Sequence, residues 1–251
     1  MHRFFLTGPM AAGEPLPLAP SDLHHLRDVL RLEADAQIAV VEPSGDASEV
    51  RLTSVGVDGV RAEFMRPLPR PDVPRVWLVQ GLAKGEKMDL VVRQATELGV
   101  ERILPLASER SVVRLDARRA FERVERWRRI AAEAAKQSQQ VRVPLVAELV
   151  DVAGLPAGVS PCALVLLAWE EASDAPSIGA AVGAARLEAA DAVAVIVGPE
   201  GGFTSQEAAS MVAHGARVVS LGPTVLRTET AGVVAPALVL AARGGLGGSG
   251  R

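Results

Sequence analysis

Residues 192–202, AVAVIVGPEGG, decide the fold of this chain of 251 residues. Six consecutive apolar residues are typical of a strand that is covered on both faces. A glycine-rich loop follows, and Thr204 and Glu207 then have the spacing of a capping box, which begins a helix. Strand, loop and helix in this order are the repeating unit of an α/β fold with a parallel sheet.

The same alternation extends to both sides of this stretch. Apolar runs and amphipathic segments take turns along the chain, and Gly99 and Gly215 are placed to end two helices in the left-handed conformation. We therefore expect a parallel sheet with helices on both faces. The predicted strands are residues 76–82, 100–104, 163–169, 192–197 and 217–221, and the predicted helices are residues 88–98, 118–139, 205–214 and 231–242.

A different pattern marks the amino-terminal part of the chain. Turn residues separate short strand patterns there, which predicts a small β-barrel-like domain. One short helix interrupts them, with Ser21 as its cap. The predicted strands are residues 37–42, 49–55 and 60–64, and the apolar face of the helix is Leu23, Leu26, Val29 and Leu30.

Four prolines within residues 67–74 separate the two patterns. Such a segment cannot form a helix and makes a stiff, extended linker. The predicted organisation is a β-barrel-like domain of residues 1–70, an α/β domain of residues 71–245 and a flexible Gly/Ser-rich tail of residues 246–251.

Composition excludes several classes of protein. Apolar residues make up 49% of the chain and charged residues 23%, which argues against extended disorder. No apolar run reaches the roughly 18 residues of a membrane span, and the first residues lack the apolar core of a signal peptide. Cys162 is the only cysteine and the four histidines have no metal-ligand spacing. We expect a cytoplasmic protein without a membrane or metal partner.

The charge distribution points to a polyanion as partner. The net charge is −3, but residues 110–142 carry ten basic and four acidic residues, a local charge of +6. Residues 143–226 carry two basic and nine acidic residues, a local charge of −7. A basic surface beside an acidic body favours nucleic-acid binding more than the net charge suggests.

The loop after residue 197 is the first candidate for chemistry. Gly198, Gly201 and Gly202 allow the backbone to approach a ligand closely, at the carboxyl end of a strand where ligands of such sheets bind. The loop is neither a Walker loop nor a GxGxxG fingerprint. A tight strand–helix turn without a ligand accounts for the same glycines equally well.

Residues 220–231, SLGPTVLRTETA, are the second candidate. Arg227, Thr228, Glu229 and Thr230 place four polar groups in a row between apolar neighbours, and such groups are costly to bury without a purpose. The alternative is that Thr228 or Thr230 caps the last helix.

Two basic segments complete the candidates. Lys84 and Lys87 lie between a strand and a helix, where they could contact an anion, or be simply solvated. The helix of residues 118–139 repeats arginines at helical spacing, which indicates either a polyanion surface or a solvated face with ion pairs along the helix.

These segments together resemble one family. VGPEGGFTSQE, SLGPTVLRTETA, LAKGEKMDLVVRQATELGVERILPL and EAAKQS match, in order and spacing, the ribosomal RNA small subunit methyltransferase E family of the SPOUT superfamily. The residues 2–5 and 26–32 resemble its amino-terminal PUA-like RNA-binding domain. The resemblance implies an S-adenosylmethionine-dependent homodimer with a deep trefoil knot that methylates N3 of one uridine in 16S rRNA of the small ribosomal subunit.

The resemblance also assigns roles to residues of this chain. Arg227 would stabilise charge on the uracil, Glu229 could accept a proton if its pKa were raised, and Arg3 could contact the target RNA. The residues expected at the cofactor are Leu166, Leu167, Ala168, Gly198, Pro199, Glu200, Gly201, Gly202, Leu221, Gly222, Leu226, Thr228, Thr230 and Ala231. The residues expected at the RNA are Arg3, Arg27, Arg31, Lys84, Lys87, Arg110 and Arg142.

The chain departs from the family pattern at two positions. Gln94 stands where the family usually has Lys, and Gln140 stands where it usually has Arg. Two other functions remain alternatives: a non-catalytic RNA-binding factor for ribosome assembly on the same fold, and a SPOUT ribose 2′-O-methyltransferase. The latter enzymes typically present an Asn in the first loop, and this chain contains none.

Overall fold

A computed structural model describes residues 1–69, 73–111, 115–140, 142–172 and 174–247 of the chain. The chain forms two compact units, one of Met1–Asp72 with Ala135–Val143 and the other of Val73–Ala134 with Pro144–Arg251. The boundary expected after residue 70 falls outside the described residues, as does most of the tail expected from residue 246. The sequence did not indicate that Ala135–Val143 belong to the first unit, because the helical pattern continues through residue 135 without a break.

Among the described residues, four strands form the sheet of the first unit. β1 runs parallel to β2, whereas β3 is antiparallel to both of its neighbours, β2 and β4. The strands predicted from turn residues and alternation are confirmed, but β1 is three residues long and carries too little pattern to be recognised. In spatial order they are β1 (Arg3–Phe5), β2 (Gln37–Val41), β3 (Ala47–Gly56) and β4 (Gly59–Pro67).

The short helix of the first unit differs from its prediction. α1 (Pro20–His24) has Ala19 as its N-cap, so the predicted cap at Ser21 is wrong. Pro20 occupies the first turn of α1. Backbone N–H groups in a first turn have no acceptor within the helix, so the N–H that proline lacks costs no helical hydrogen bond. A π-helical segment, His25–Val29, follows, and its wider turn changes which side chains lie on the apolar face. Leu26 is fully buried, as predicted for the apolar face. Val29 is 58% exposed, so its predicted place on that face is wrong.

In the described part of the second unit, seven strands form one sheet. Every pair in it is parallel, with the spatial order β11-β9-β10-β5-β6-β7 and β8 paired to β6. The expected parallel α/β architecture is confirmed. The strands are β5 (Arg75–Gly81), β6 (Arg102–Ala107), β7 (Leu145–Val146), β8 (Val150–Asp151), β9 (Leu164–Ala168), β10 (Ala192–Val197) and β11 (Arg217–Val219).

The helices of the second unit follow their predictions closely. The capping box of Thr204 and Glu207 is formed, and Gly99 and Gly215 end two helices with φ of 90° and 94°. The strand predicted at residue 100 begins two residues later. Short elements with little periodicity (β7, β8, α4 and α5) were not predicted. The helices are α2 (Lys87–Leu98), α3 (Ala117–Gln137), α4 (Leu155–Val159), α5 (Ile178–Gly183), α6 (Ser205–Ala213) and α7 (Thr228–Ala242).

The last helix begins earlier than predicted. α7 starts at Thr228 rather than at residue 231, and its N-cap is Arg227, whose side chain makes no capping hydrogen bond. Neither Thr228 nor Thr230 is the cap, so a capping role does not account for this polar cluster. The hydroxyl of Thr228 is free for another use.

The parallel strands bring their carboxyl ends to one edge of the sheet. Val197 at the end of β10 pairs with Gln80 of β5 on one side and with Ala168 of β9 on the other. Val219 at the end of β11 also pairs with Ala168. The loops that follow β9, β10 and β11 therefore leave the sheet from one row of residues. Among the described residues, no helix has the length and apolar character needed to cross a membrane.

Candidate functional site

A cavity of about 640 Å³ lies at this edge of the sheet, within the second unit. Ala168, Val197 and Val219 form its base, and the loops that follow them form its walls. Its size is within the roughly 300–1,000 Å³ of sites that hold small molecules and cofactors. Both candidate loops line this one cavity, the first through Gly198, Pro199 and Glu200 and the second through all of LGPTVLRT, although about twenty residues separate them in the sequence.

A buried chain of hydrogen bonds joins the two loops. The amide Nε2 of Gln80 donates to Oγ1 of Thr228 over 2.9 Å, and this hydroxyl donates to the carbonyl oxygen of Gly198 over 2.6 Å. Gln80 is fully buried and Thr228 is 6% exposed. Since a hydroxyl has a single proton to donate, the direction of each bond in the chain is determined. The start of α7 is thereby held against the loop after β10.

A second connection runs through Lys87. Its Nζ lies 3.1 Å from Oε1 of Glu200 in one loop and 3.1 Å from Oε2 of Glu229 at the start of α7. Hydrogen bonding to Glu200, and then to Glu229, raises the pKa of Lys87. Glu200 also accepts a hydrogen bond of 3.1 Å from the backbone N–H of Lys84. Lys87 therefore acts in this structure as a bridge between the two loops.

The two carboxylates of this bridge are held ionised. Burial raises the pKa of Glu200, but its own N–H, the N–H of Lys84 and the Lys87 ammonium outweigh burial and leave the pKa below its ordinary value. For Glu229 the main cause is its own backbone N–H at the helix start, which lowers the pKa against burial, with Lys87 and Arg227 adding to it. The pKa of Glu229 is thus shifted away from the raised value that a proton acceptor would need, and its catalytic role stays a prediction.

Two glycines allow the close packing behind the cavity. A Cβ at Gly81 would lie 2.4 Å from the backbone nitrogen of Pro199, so β5 and the loop after β10 touch backbone to backbone. A Cβ at Gly232 of α7 would lie 2.3 Å from Oε1 of Gln80. A methyl group at Gly81 or Gly232 would therefore displace the neighbouring atom, because real Cβ atoms do not approach other atoms so closely.

The cavity gathers most, but not all, of the residues expected at a cofactor. Leu166 and Leu167 are buried within β9, and Gly201, Gly202 and Thr230 also lie outside the wall. The expected residues that do line the wall are Ala168, Gly198, Pro199, Glu200, Leu221, Gly222, Leu226, Thr228 and Ala231.

Sequence reasoning did not assign several residues of this site, among them Trp169, Glu170 and Gln80. Trp169 and Glu170 line the cavity directly after β9, and Gln80 supports it from β5. The positions of these residues in the sequence could have indicated the site. Trp169 and Glu170 follow a strand that ends at the edge of the sheet where the glycine loop also begins. Gln80 is a polar residue at the end of an apolar run.

The three residues expected to catalyse have different surroundings. Arg227 is exposed in the cavity wall. Glu229 is held by Lys87. Arg3 lies in the first unit, where its guanidinium donates to the carbonyl oxygens of Gln139 and, over 2.9 Å, of Gln140, and where burial lowers its pKa.

The residues expected to bind RNA are also partly engaged with the protein. Arg110 donates to the carbonyl oxygens of Gly201 and Phe203, both over 3.3 Å, and so supports the glycine loop. Lys87 forms the bridge described above, while Lys84 is exposed. In the first unit, Arg27 pairs with Asp28 at 2.9 Å and Arg31 is exposed. Arg142 is half-buried.

Several arginines of the basic helix α3 form ion pairs, as one of the two alternatives for it predicts, while its role as a polyanion surface stays a prediction. Arg126 donates twice to Asp89 of α2, and Nε1 of Trp127 donates to the same carboxylate over 3.1 Å, so this arginine fastens two helices together. Arg118 and Arg128 pair with acidic residues one turn away on the same helix. In the described part of the chain, no group of three or more histidine, cysteine, aspartate or glutamate residues could hold a metal ion.

The parallel sheet and both loops at its carboxyl edge lie within residues 70–240, which match the family model of an RNA methyltransferase domain. Ribosomal RNA small subunit methyltransferase E of Bacillus subtilis is 31% identical over 241 residues, which are 92% of this chain and 93% of that protein. The chain belongs to the ribosomal RNA small subunit methyltransferase E family.

Two further relatives agree with this assignment. The enzyme of the same name from Mycobacterium bovis is 34% identical over 216 residues, covering 84% of this chain and 80% of that protein. A crystal structure of ribosomal RNA small subunit methyltransferase E from Neisseria gonorrhoeae, bound to S-adenosyl methionine, superimposes with a TM-score of 0.78 at 30% identity. It covers 94% of this chain and 95% of that chain.

Proposed function

We propose that this protein transfers a methyl group from S-adenosylmethionine to N3 of one uridine in 16S rRNA. The observation that carries the proposal is the union of two loops, GPEGG and LGPTVLRT, in the wall of one cavity of about 640 Å³. Two independent contacts hold them there, the hydrogen bond between Thr228 and Gly198 and the bridge through Lys87. The family assignment supports a methyl donor in this cavity and ribosomal RNA as the acceptor.

The residues of the cavity fit S-adenosylmethionine. Indole Nε1 of Trp169 is buried in the wall without a hydrogen-bond partner among the described residues, which leaves a donor for a bound molecule. Glycine and small residues (Gly198, Gly222 and Ala168) keep bulky side chains out of this part of the wall, so an adenine ring and a ribose can approach its backbone closely. When bound, the cofactor supplies a methyl group on a positively charged sulfur.

The acceptor is the difficult part of this reaction. Uracil N3 carries a proton and becomes nucleophilic only when that proton leaves, and the resulting charge spreads to O2 and O4. Arg227 is exposed in the cavity wall, with its side chain unused by the helix it caps. We assign it to contact a uracil carbonyl oxygen, where a fixed guanidinium stabilises the developing charge.

Glu229 has a supporting role in this mechanism. Its carboxylate is ionised, with a lowered pKa, and it fixes Lys87 together with Glu200. We therefore assign Glu229 and Lys87 to holding the cavity in shape, which orients the methyl donor relative to the incoming base.

Further parts of the proposal concern the whole molecule. The first unit serves as a PUA-like RNA-binding barrel in which Arg3, Arg27, Arg31 and Arg142 contact RNA, and Lys84 and Arg110 add contacts from the second unit. The second unit contains the trefoil knot of its superfamily, and the protein acts as a homodimer in the cytoplasm.

Nucleoside mass spectrometry tests the proposed activity. Small-subunit RNA from a strain that lacks the gene should contain no 3-methyluridine at one site, and expression of this chain should restore it. Expression of the Arg227→Ala variant at the same level should not. Restoration of a ribose 2′-O-methyl group instead, or no change in any modification, would contradict the proposal. No change in any modification, together with no measurable affinity for S-adenosylmethionine, would favour a non-catalytic assembly factor.

A further inference from the structure

Glu170 is an acidic residue of the cavity wall that no other contact of the site uses. It follows β9 directly and lines the cavity. Within the described part of the chain, its carboxylate has neither a hydrogen bond nor an ion pair. A carboxylate in this position is available to a positively charged ligand.

The position of this carboxylate depends on a glycine in the neighbouring loop. A Cβ at Gly202 would lie 2.1 Å from Oε1 and 3.1 Å from Cδ of Glu170. Gly202 has a φ of +64°, and its N–H closes a turn with the carbonyl oxygen of Pro199 over 2.9 Å. The Glu170 carboxylate thus occupies the space above Gly202, where the end of β9 meets the loop after β10.

The cations of this cavity form no ion pair with Glu170. Lys87 is shared by Glu200 and Glu229, and Arg110 donates to two carbonyl oxygens of the glycine loop. Arg227 is exposed in the cavity wall. Among the described residues, Glu170 therefore has no cationic partner.

Methyl transfer changes the charge of the cofactor. The methyl group leaves the sulfur without the bonding electron pair, so a sulfonium becomes a neutral thioether, while N3 of the uracil forms the new bond with its own electron pair and has lost its proton to solvent. A nearby carboxylate attracts the positively charged sulfonium, whereas it has no comparable electrostatic attraction to the neutral thioether. We propose that Glu170 makes the cavity prefer S-adenosylmethionine over S-adenosylhomocysteine, an inference that rests on the function proposed above. The residue thereby favours release of the spent cofactor.

Isothermal titration of the full chain at low salt tests this selection. The ligands are S-adenosylmethionine, S-adenosylhomocysteine and sinefungin, which carries an ammonium group in place of the methylated sulfur. Glu170→Gln should weaken binding of the two cationic ligands about two- to fivefold, as expected for an exposed charge pair, and should leave the affinity for the neutral ligand nearly unchanged. The difference should shrink when the salt concentration rises from about 0.05 to about 0.5 M.

A matched control is the next residue in the chain. Glu171 is exposed and lies outside the cavity wall, so Glu171→Gln removes the same charge and should leave the ratio of the affinities unchanged. Equal weakening of all three ligands by Glu170→Gln, or no weakening, would overturn the inference while leaving the proposed function intact. A wild-type protein that binds none of the three would overturn the proposed function itself, and the inference with it.

Discussion

The hydroxyl of Thr228 donates a 2.6 Å hydrogen bond to the carbonyl oxygen of Gly198, and this bond joins the first turn of α7 to the loop after β10. The two residues are thirty positions apart in the sequence. The same hydroxyl accepts from the buried amide of Gln80, so a single threonine links β5, β10 and α7 at the wall of the cavity.

Thr228→Val should weaken both the cofactor site and the fold. The substitution keeps the shape of the side chain but leaves the Gln80 amide and the Gly198 carbonyl without this partner, which costs about 1–3 kcal/mol of unfolding free energy. We expect S-adenosylmethionine to bind at least about tenfold more weakly. Urea unfolding and calorimetry measure the two effects. Thr53→Val, at an exposed position of β3, is the control; equal behaviour of the two variants would contradict the role of the bond.

Lys87→Met should change the response of the protein to acid. Glu200 and Glu229 have pKa values lowered in the folded protein, so their ion pairs stabilise it above the ordinary glutamate pKa of about 4.3 and are lost as the pH falls through the lowered values. Removal of Lys87 removes part of that stabilisation at neutral pH. The thermal midpoint of the variant should therefore fall less than that of the wild type between about pH 6 and pH 3.

Lys87→Arg serves as the comparison for this experiment, because it keeps the positive charge. Its thermal midpoint should follow the wild-type pH profile more closely than the methionine variant does. Parallel pH profiles for the wild type and Lys87→Met would show that the bridge contributes nothing to the acid response.

Gly81→Ala should destabilise the second unit strongly. The new methyl group would meet the backbone nitrogen of Pro199 at 2.4 Å, and backbone cannot move aside as a flexible side chain can. We expect a loss of about 1–3 kcal/mol or more in unfolding free energy, typical of overpacking. Gly179→Ala in α5, where nothing lies within 4 Å of the added Cβ, should be neutral or slightly stabilising. Comparable losses for both variants would refute the close crossing of β5 and the loop.

Arg227→Ala should reduce the turnover of the enzyme while leaving its affinity for S-adenosylmethionine almost unchanged. Its side chain is exposed and makes no capping hydrogen bond, so the fold and the affinity for S-adenosylmethionine should change little. Methylation of small ribosomal subunits should fall by about 10²–10³-fold, as is typical when a group that stabilises transition-state charge is removed. Arg217→Ala, an exposed arginine at the start of β11, controls for the loss of a positive charge. Full turnover by Arg227→Ala would remove Arg227 from the mechanism.

Local patterns in the sequence predicted the elements that local physics determines. The apolar run of residues 192–197 is a strand with those bounds, and Thr204 with Glu207 forms the capping box. Gly99 and Gly215 end helices because few other residues adopt a positive φ without strain. Both loops of the candidate site could be identified, because glycines and clustered polar groups directly after buried strands are typical of ligand sites in parallel sheets.

Some features could not be read from a short pattern of residue types. Ser21 has the chemistry of a cap, but its neighbour Pro20 occupies the first turn and Ala19 is the N-cap. The lowered pKa of Glu229 depends in part on Lys87, which lies far away in the sequence. Trp169 and Glu170 carried no motif, and only the cavity shows that they belong to the site.

The order of residues alone therefore determined the alternation of strands and helices and the two loops that a ligand could use, since these follow from periodicity and backbone preference within a few residues. The tertiary structure decided which polar groups meet. Gln80, Thr228 and Gly198 form one chain of hydrogen bonds because parallel pairing brings the ends of β5 and β10 side by side and places α7 against them. That arrangement is a property of the whole sheet, and no single segment of the chain contains the information for it.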